Sequence, residues 1–443
     1  MQQFFANKIV RFILSAGVAV FLYWACPPCL NHGVLGAILA GLLLIINLPA
    51  VISYFPLVTH IVRVVVGITF IYSGFIKSND PIGFAYKLEE YFEVFSQDLA
   101  NSKFLVSMFH WMADWSVFFA ILVCVSEVAL GFMLLTGLYK RLTLWLLLAQ
   151  IVFFTFLTFY SACYNKVTHC GCFGDAIVLT PWQSFTKDIA LCFLISILWV
   201  GERHIKPVFG SFLGKITIVV ITGISIAFPV YTWAYLPVKD YRPYAPGKNI
   251  CEQMKPGPHY KQAEFGYLYK NKKNGTVQAF PADKLPWKDS LTWVYDTVQL
   301  IHPAVDEPLI VDFKITDPET QDDLTDSVLK NPDYYFLLVA YDLKHTNRKV
   351  QGRINDFVGL CDKDKKKFMA LTSAPHEEIR DFRLEVQAAY PYLNGDQTML
   401  KTMIRSNPGL MLMKGCTVIA NWPFRSFPSY NDVKAKYFNN KEK

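Results

Sequence analysis

Apolar runs alternate with short polar breaks along the first 236 residues or so of the chain, and then the pattern stops. Stretches rich in Leu, Ile, Val and Phe occupy 8–25, 33–55, 58–77, 115–138, 142–162, 186–201 and 215–236. A helix needs about 17–25 such residues to cross a bilayer, so the pattern predicts seven spanning helices, that at 186–201 being the shortest. Lys8 and Arg11 before the first run also fit a signal sequence, with cleavage and lipidation at Cys26, although Tyr23 and Trp24 are bulky for such a site. From residue 237 onward the mixture of polar and apolar positions is that of a water-soluble domain.

Between the third and fourth runs, Phe84-Ala-Tyr-Lys-Leu-Glu-Glu-Tyr-Phe-Glu-Val-Phe95 places aromatics and acids at helical spacing. It reads as an amphipathic helix at the interface or partly re-entering the membrane, or else as an ordinary loop helix. A Pro- and Tyr-rich connector, 237–258, leaves the helical half. Residues 259–300 alternate in short segments around Asn274-Gly275, which predicts a small β-rich piece. Strands at Tyr335–Tyr341 and Phe368–Thr372, helices near 347–360 and 376–387, and a proline loop with a hairpin over Ser406–Trp422 then predict an α/β domain. The expected divisions are 1–56, an N-terminal transmembrane hairpin; 57–236, a helical bundle; 237–310, connector and β-rich segment; and 311–443, the α/β domain.

Charge orients these parts. Lys8 and Arg11, Lys140 and Arg141, and Arg203, His204, Lys206 and Lys215 fall in alternate loops, which the positive-inside rule assigns to the cytoplasm. The remaining loops and the C-terminal domain are then expected outside. The chain is 53% hydrophobic with net charge +7, and its lysines are spread among acids and aromatics, so nucleic acid is not an expected partner. Eight of the ten cysteines would lie on the outer, oxidising side, where disulfides are permitted.

Two of these cysteines sit one residue apart in Thr168-His-Cys-Gly-Cys-Phe-Gly-Asp175, a polar break between apolar runs. Glycine between Cys170 and Cys172 permits the turn such a pair needs, and His169 could ease deprotonation. Cys26-Pro-Pro-Cys29 ends the first run. In a Cys-x-x-Cys pair one thiolate can attack a disulfide and its neighbour resolve the product; Pro-Pro is equally a plain helix terminator. The CGC pair can likewise exchange disulfides or staple its loop. Four thiolates from the two pairs, or three with His169, could hold zinc tetrahedrally, but Cys-x-Cys is not its usual spacing, and no metal site is expected. Cys361 and Cys416 read as isolated core thiols, while Cys251 lies near the membrane exit, within reach of the outer loops.

Ionisable groups inside apolar runs are costly and usually face a bundle interior or a cavity. Glu127 is one and Arg63 another; a quinone, a lipid headgroup or a structural polar contact could satisfy them. Lys77, followed by Asp80-Pro81, reads as the outer end of its helix.

The run Arg63–Lys77, the segment Glu127–Gly137, and Cys170-Gly-Cys-Phe-Gly-Asp175 with Trp182-Gln-Ser-Phe-Thr-Lys187 resemble the DoxX/MauE-type membrane proteins, in particular the long Bacteroidetes members with a C-terminal outer domain. The resemblance covers residues from about 57 to the end and implies a DoxX-like four-helix core, with roles tied to respiratory or disulfide chemistry. The α/β region resembles membrane-tethered thioredoxin-like domains, with Asn407-Pro408-Gly409 in the place of their cis-proline loop. Where those domains carry Cys-x-x-Cys, this chain reads Tyr341-Asp-Leu-Lys-His-Thr-Asn347, so that domain is not expected to exchange disulfides itself; Asn407 and Pro408 would bind a partner.

The expectation is therefore a multi-domain chain: a polytopic α-helical membrane bundle of about seven helices followed by a thioredoxin-like α/β outer domain. It would sit in a bacterial inner membrane, among lipid, with its N-terminus cytoplasmic and its C-terminal domain periplasmic. Cys170/Cys172 would exchange disulfides with a periplasmic client, Cys26/Cys29 would be a second pair, and a quinone near Glu127 would be the electron sink. The competing expectation is a scaffold subunit of an envelope complex whose CGC only ties a loop.

Overall fold

The computed structural model describes residues 56–439, apart from 165, 168–170, 172, 288, 303, 304 and 312. The chain forms two compact units that divide between Lys239 and Asp240. The spans expected at 8–25 and 33–55 lie outside the described residues.

Helices α1 (Pro56–Asn79), α2 (Pro81–Asp98), α3 (Lys103–Asp114), α4 (Ser116–Thr136), α5 (Lys140–Tyr164), α6 (Pro181–Val200) and α7 (Ser211–Tyr235) build the first unit among the described residues. Five of them, α1, α4, α5, α6 and α7, are long and apolar enough to cross a membrane, and they answer to the five apolar runs expected from residue 58 on. The apolar run at 186 understated α6. Thr180 caps the helix by accepting from the Gln183 amide at 3.3 Å, and the Gln183 side chain accepts from the Thr180 amide at 3.0 Å. With Pro181 in the first turn, this capping box starts the helix on polar residues that a hydropathy pattern passes over.

Helices α1 and α4 approach at backbone distance. A Cβ at Gly131 would lie 2.7 Å from the Gly67 carbonyl oxygen, and one at Gly74 would lie 2.8 Å from Glu127 Cβ. Small residues at a helix crossing let the backbones close up, which is how helices associate where lipid removes the hydrophobic drive. Around this pair, Val66, Leu134, Leu147 and Leu198 form one buried cluster.

The segment read as an interfacial or loop helix is α2, and it packs inward. Asp80 caps it through the Gly83 amide at 2.9 Å, and its face of Phe84, Ala85, Leu88, Tyr91, Phe92 and Phe95 is buried against Ala120 and Cys124 of α4 and Phe154 and Leu157 of α5. Lys140 and Arg141 meet the α6–α7 turn: Lys140 donates to the Glu202 carbonyl at 2.9 Å and Arg141 pairs with the Glu202 carboxylate at 2.9 Å. The two basic loops therefore share one end of the bundle, as alternation requires.

The second unit begins with a short helix α8 (Ile250–Gln253) and a three-stranded antiparallel sheet of β1 (Glu264–Asn271), β2 (Val277–Phe280) and β3 (Trp293–His302), in the order β2-β1-β3. The β1–β2 turn is the expected one, with Gly275 at φ +72°. There follow β4 (Ile315–Thr316), α9 (Thr325–Leu329), β5 (Tyr334–Val339), α10 (Gln351–Lys363), β6 (Phe368–Thr372), α11 (His376–Val386), β7 (Tyr392–Gly395), α12 (Gln397–Met403), β8 (Gly409–Lys414), β9 (Thr417–Pro423) and α13 (Tyr430–Val433). Their sheet runs β4-β7-β6-β5-β8-β9, with β5, β6 and β7 parallel and β8, β9 and β4 antiparallel to their neighbours. Both faces of β5 are buried, as a central strand covered on two sides requires. Phe336 and Leu338 pack with Phe357 of α10, Phe382 of α11 and Tyr430 of α13.

One sequence expectation is corrected here. Cys416 is not an isolated thiol: it is disulfide-bonded to Cys251. The backbone beside the bond pairs too, the Ile250 amide donating to the Cys416 carbonyl at 2.8 Å and the Val418 amide to the Lys248 carbonyl at 3.0 Å. The connector thus lies along part of the β9 edge and covers groups that would otherwise invite another strand.

Candidate functional site

The helical unit brings its intramembrane charges together in pairs. Lys77, expected at the outer surface, is 2% exposed and reaches back from the end of α1 to Glu127 of α4, Nζ to Oε1 at 2.6 Å. The correction has a simple cause: α2 folds over the end of α1, and the ammonium turns inward. It also donates to Ser73 Oγ at 3.0 Å and lies over the Phe154 and Phe84 rings at 4.6 and 5.3 Å, a desolvated setting in which cation–π attraction is strongest.

A second pair lies on α6. Lys187 Nζ is 2.5 Å from Asp188 Oδ1, and Asp188, fully buried, accepts from Thr158 Oγ1 of α5 at 2.9 Å. Both pairs line one cavity of about 20 Å³, together with Thr69, Phe154 and Phe173. That volume is of the order of one water molecule.

Arg63 is not part of this cluster. It lies fourteen residues from Lys77 on the same helix, about 20 Å at 1.5 Å per residue, and donates to the carbonyls of Leu134 at 2.8 Å and Leu135 at 2.5 Å. These are among the last carbonyls of α4, which have no partner within their own helix. Gly137 at φ +71° ends that helix.

The cysteines expected to carry the chemistry, Cys26, Cys29, Cys170 and Cys172, and His169 beside them, lie outside the described residues. Gly171 and Phe173, the sequence neighbours of Cys172, are described. A Cβ at Gly171 would be 3.2 Å from Lys87 Cγ of α2. The Phe173 ring packs against Tyr72 of α1 at 6.1 Å and lies 5.4 Å from Lys187 Nζ. Before the loop, Asp98 of α2 binds both Tyr160 and Lys166.

In the second unit, Asn407 and Pro408 form a cis peptide bond in the loop before β8. Asn407 Nδ2 donates to the Asp342 carbonyl at 2.7 Å, and the Asn347 amide donates to the Asn407 carbonyl at 3.2 Å. The proline loop thus lies against the turn after β5, as in thioredoxin-like domains. That turn has no thiol. Asp342 takes the amides of Lys344 and His345 at 2.9 and 3.2 Å and the His345 ring at 2.7 Å. Burial pushes the Asp342 carboxyl up, but the His345 contacts outweigh it and hold the group below the ordinary aspartate value. In the same unit, burial pushes the thiol of Cys361 well up, the reverse of a reactive cysteine.

Sequence reasoning found Glu127 but missed Lys77, Lys187 and Asp188 as its neighbours. The signal was present: a bilayer leaves few ways to satisfy an ionisable side chain other than another one.

Residues 53–201 match the family model of the methylamine utilisation protein MauE. Protein TlpB of Flavobacterium psychrophilum is 27% identical over 185 residues, which cover 40% of this chain and 46% of that protein. The chain thus spans about half the length of this curated relative. No solved structure matches. The helical half is a multi-pass membrane region of the MauE/DoxX type. The domain that follows it is thioredoxin-like, by its strand order and proline loop.

Proposed function

We propose that the protein carries out thiol–disulfide exchange at the outer face of a bacterial inner membrane, with Cys170 and Cys172 as the exchanging pair and Cys26 and Cys29 as a second one. In the balanced step, a thiolate of the pair attacks a client disulfide. One client sulfur leaves as a thiol, and the second cysteine resolves the mixed disulfide and releases the other. The reaction runs in either direction, and the client supplies or accepts both electrons. The observation that carries this reading is the position of Phe173, the sequence neighbour of Cys172, whose ring lies 5.4 Å from the Lys187 ammonium. A cation beside a thiol favours the thiolate, the nucleophilic form.

The outer domain supports a binding role beside this chemistry. It keeps the Asn407-Pro408 loop and replaces the thiol pair by the Asp342–His345 turn, an arrangement suited to holding a client or an envelope partner rather than to oxidising it. The basic loops support an orientation with the C-terminal domain periplasmic; lipid would surround the spanning helices.

Thiol trapping in cells with a mass-tagging maleimide tests the proposal, comparing wild type with Cys170→Ser and Cys26→Ser before and after a pulse of reductant. Exchange requires a Cys170/Cys172 pair of mixed state that recovers quickly. A pair fully oxidised and inert to mild reductant would leave the protein a scaffold with a stapled loop.

A further inference from the structure

The β1–β2 end of the three-stranded sheet is apolar and basic at once. In the segment that leads into β3, Trp287 is 74% exposed and Leu291 88%, and Val277 and Val294 are about half exposed. Exposed apolar groups that gather rather than scatter mark a docking surface. Here they are gathered by pairing. Lys270 of β1 stands opposite Val277 of β2 and Val294 of β3, so the three side chains share one face. The Lys272 amide donates to the Thr292 carbonyl and its ammonium to the Ser290 carbonyl, both at 2.9 Å. Those bonds fix the residues on either side of Leu291 to the β1–β2 turn. On the opposite face the rings of Tyr269, Phe280, Trp293 and Tyr295 pack edge to face, with Phe280 and Trp293 5.1 Å apart, which stiffens this end of the sheet.

The charge around these apolar groups has one predominant sign. Lys270, Lys272 and Lys273 are exposed, and residues 270–294 hold five lysines against two aspartates. Of the two acids, Asp289 accepts from the Thr292 amide at 3.1 Å. Exposed tryptophan and leucine among lysines suit the boundary of a bilayer, with apolar groups at the acyl border and ammonium groups on phosphate. Such a surface is always at hand. Helix α7, long and apolar enough to cross a membrane, ends at Tyr235, and the second unit begins at Asp240. A tether this short keeps the effective concentration of headgroups high, so a weak contact is enough.

We propose that this end of the sheet is a lipid-docking surface for anionic phospholipid. Trp287 and Leu291 enter the headgroup region, and Lys270, Lys272 and Lys273 pair with lipid phosphates. The site uses none of the cysteines of the exchange proposal and stands or falls separately from it.

Photocrosslinking of the full-length protein in lipid nanodiscs tests this, using a phospholipid with a diazirine on its headgroup and mapping the labelled peptides by mass spectrometry. Labelling is read relative to the peptides of α7. The peptide holding Trp287 and Leu291 is expected to be labelled in discs that contain anionic phospholipid. Labelling should be weaker in discs of phosphatidylcholine alone, and weaker in anionic discs at about 1 M salt, where charge is screened within about 3 Å. Each lysine near an anionic surface strengthens attachment about fivefold. Lys272→Gln combined with Lys273→Gln should therefore lower the labelling by roughly 25-fold, and Trp287→Ser with Leu291→Ser should lower it in every disc. All four side chains are exposed, so the variants keep the fold. Labelling equal in neutral and anionic discs, or unchanged in the lysine variant, would overturn the proposal. So would a peptide left unlabelled in every disc, which would give the surface to a protein partner instead.

Discussion

Cys251 and Cys416 are bonded to each other across 165 residues of chain, closing the connector of the second unit onto the β8–β9 turn. A cross-link over so long a loop removes much of the freedom of the unfolded chain. Cys416→Ser is therefore expected to lower the stability of the second unit by about 2–5 kcal/mol. Denaturant unfolding of the full-length protein in detergent, with and without reductant, checks it: reductant must bring the wild type down to the variant and leave the variant unmoved.

Within the bundle, the Lys77–Glu127 pair is nearly excluded from solvent. Removing one member strands the other's charge, so Lys77→Met should cost about 3–5 kcal/mol. Adding Glu127→Leu to it should recover most of that loss, because the stranded charge goes too. Thermal unfolding in detergent reads both, and a double variant no better than the single one would show that the cost lies in packing instead.

Gly131→Val makes a steric prediction. The new side chain begins 2.7 Å from the Gly67 carbonyl oxygen, backbone that cannot turn aside as a flexible side chain would. Overpacking of about 1–3 kcal/mol is expected. Gly359→Ala, where a Cβ meets nothing within 4 Å, serves as the control and should be neutral or slightly stabilising, since it replaces a glycine inside α10.

Acid sensitivity of the second unit has a local contributor in Asp364. The Lys434 ammonium at 2.5 Å, and then the Tyr430 hydroxyl at 2.7 Å, hold its carboxyl below the ordinary value of 3.8. A depressed folded value means that the stabilisation is present above the unfolded pKa and is lost as pH falls through the folded one. Asp364→Asn should thus be less stable than wild type at neutral pH, with the gap closing below about pH 4. Unfolding midpoints measured across that range decide it, and a gap constant with pH would assign the loss to shape rather than charge.

How far the sequence could be read depended on the range of the interaction concerned. Asn274-Gly275 and Asn407-Pro408 carry their conformations in adjacent residues, and the structure has a hairpin turn and a proline loop at those places. Helices of lipid-crossing length announce themselves by composition, as α4 and α5 did. Helix α3 was passed over because a dozen residues mixing Lys103, His110 and Asp114 with aromatics look like a loop. Lys77 was placed at the surface because nothing local reveals that α2 will cover it. The partner of Cys251 is a distant residue, and spacing alone cannot select it from ten cysteines. The residues expected to exchange disulfides were found by motif, and only their neighbours Gly171 and Phe173 are described.

The glycine contact between α1 and α4 has a mechanical side. Two helices whose backbones close up at Gly67 and Gly131 have little room to slide or roll independently; they behave as a single stiff bar. Arg63 clamps that bar at one end and Lys77 with Glu127 near the other. A displacement of the loop around Lys206, whose carbonyl Arg63 also contacts, would then be felt at the far end as a tilt of the whole bar.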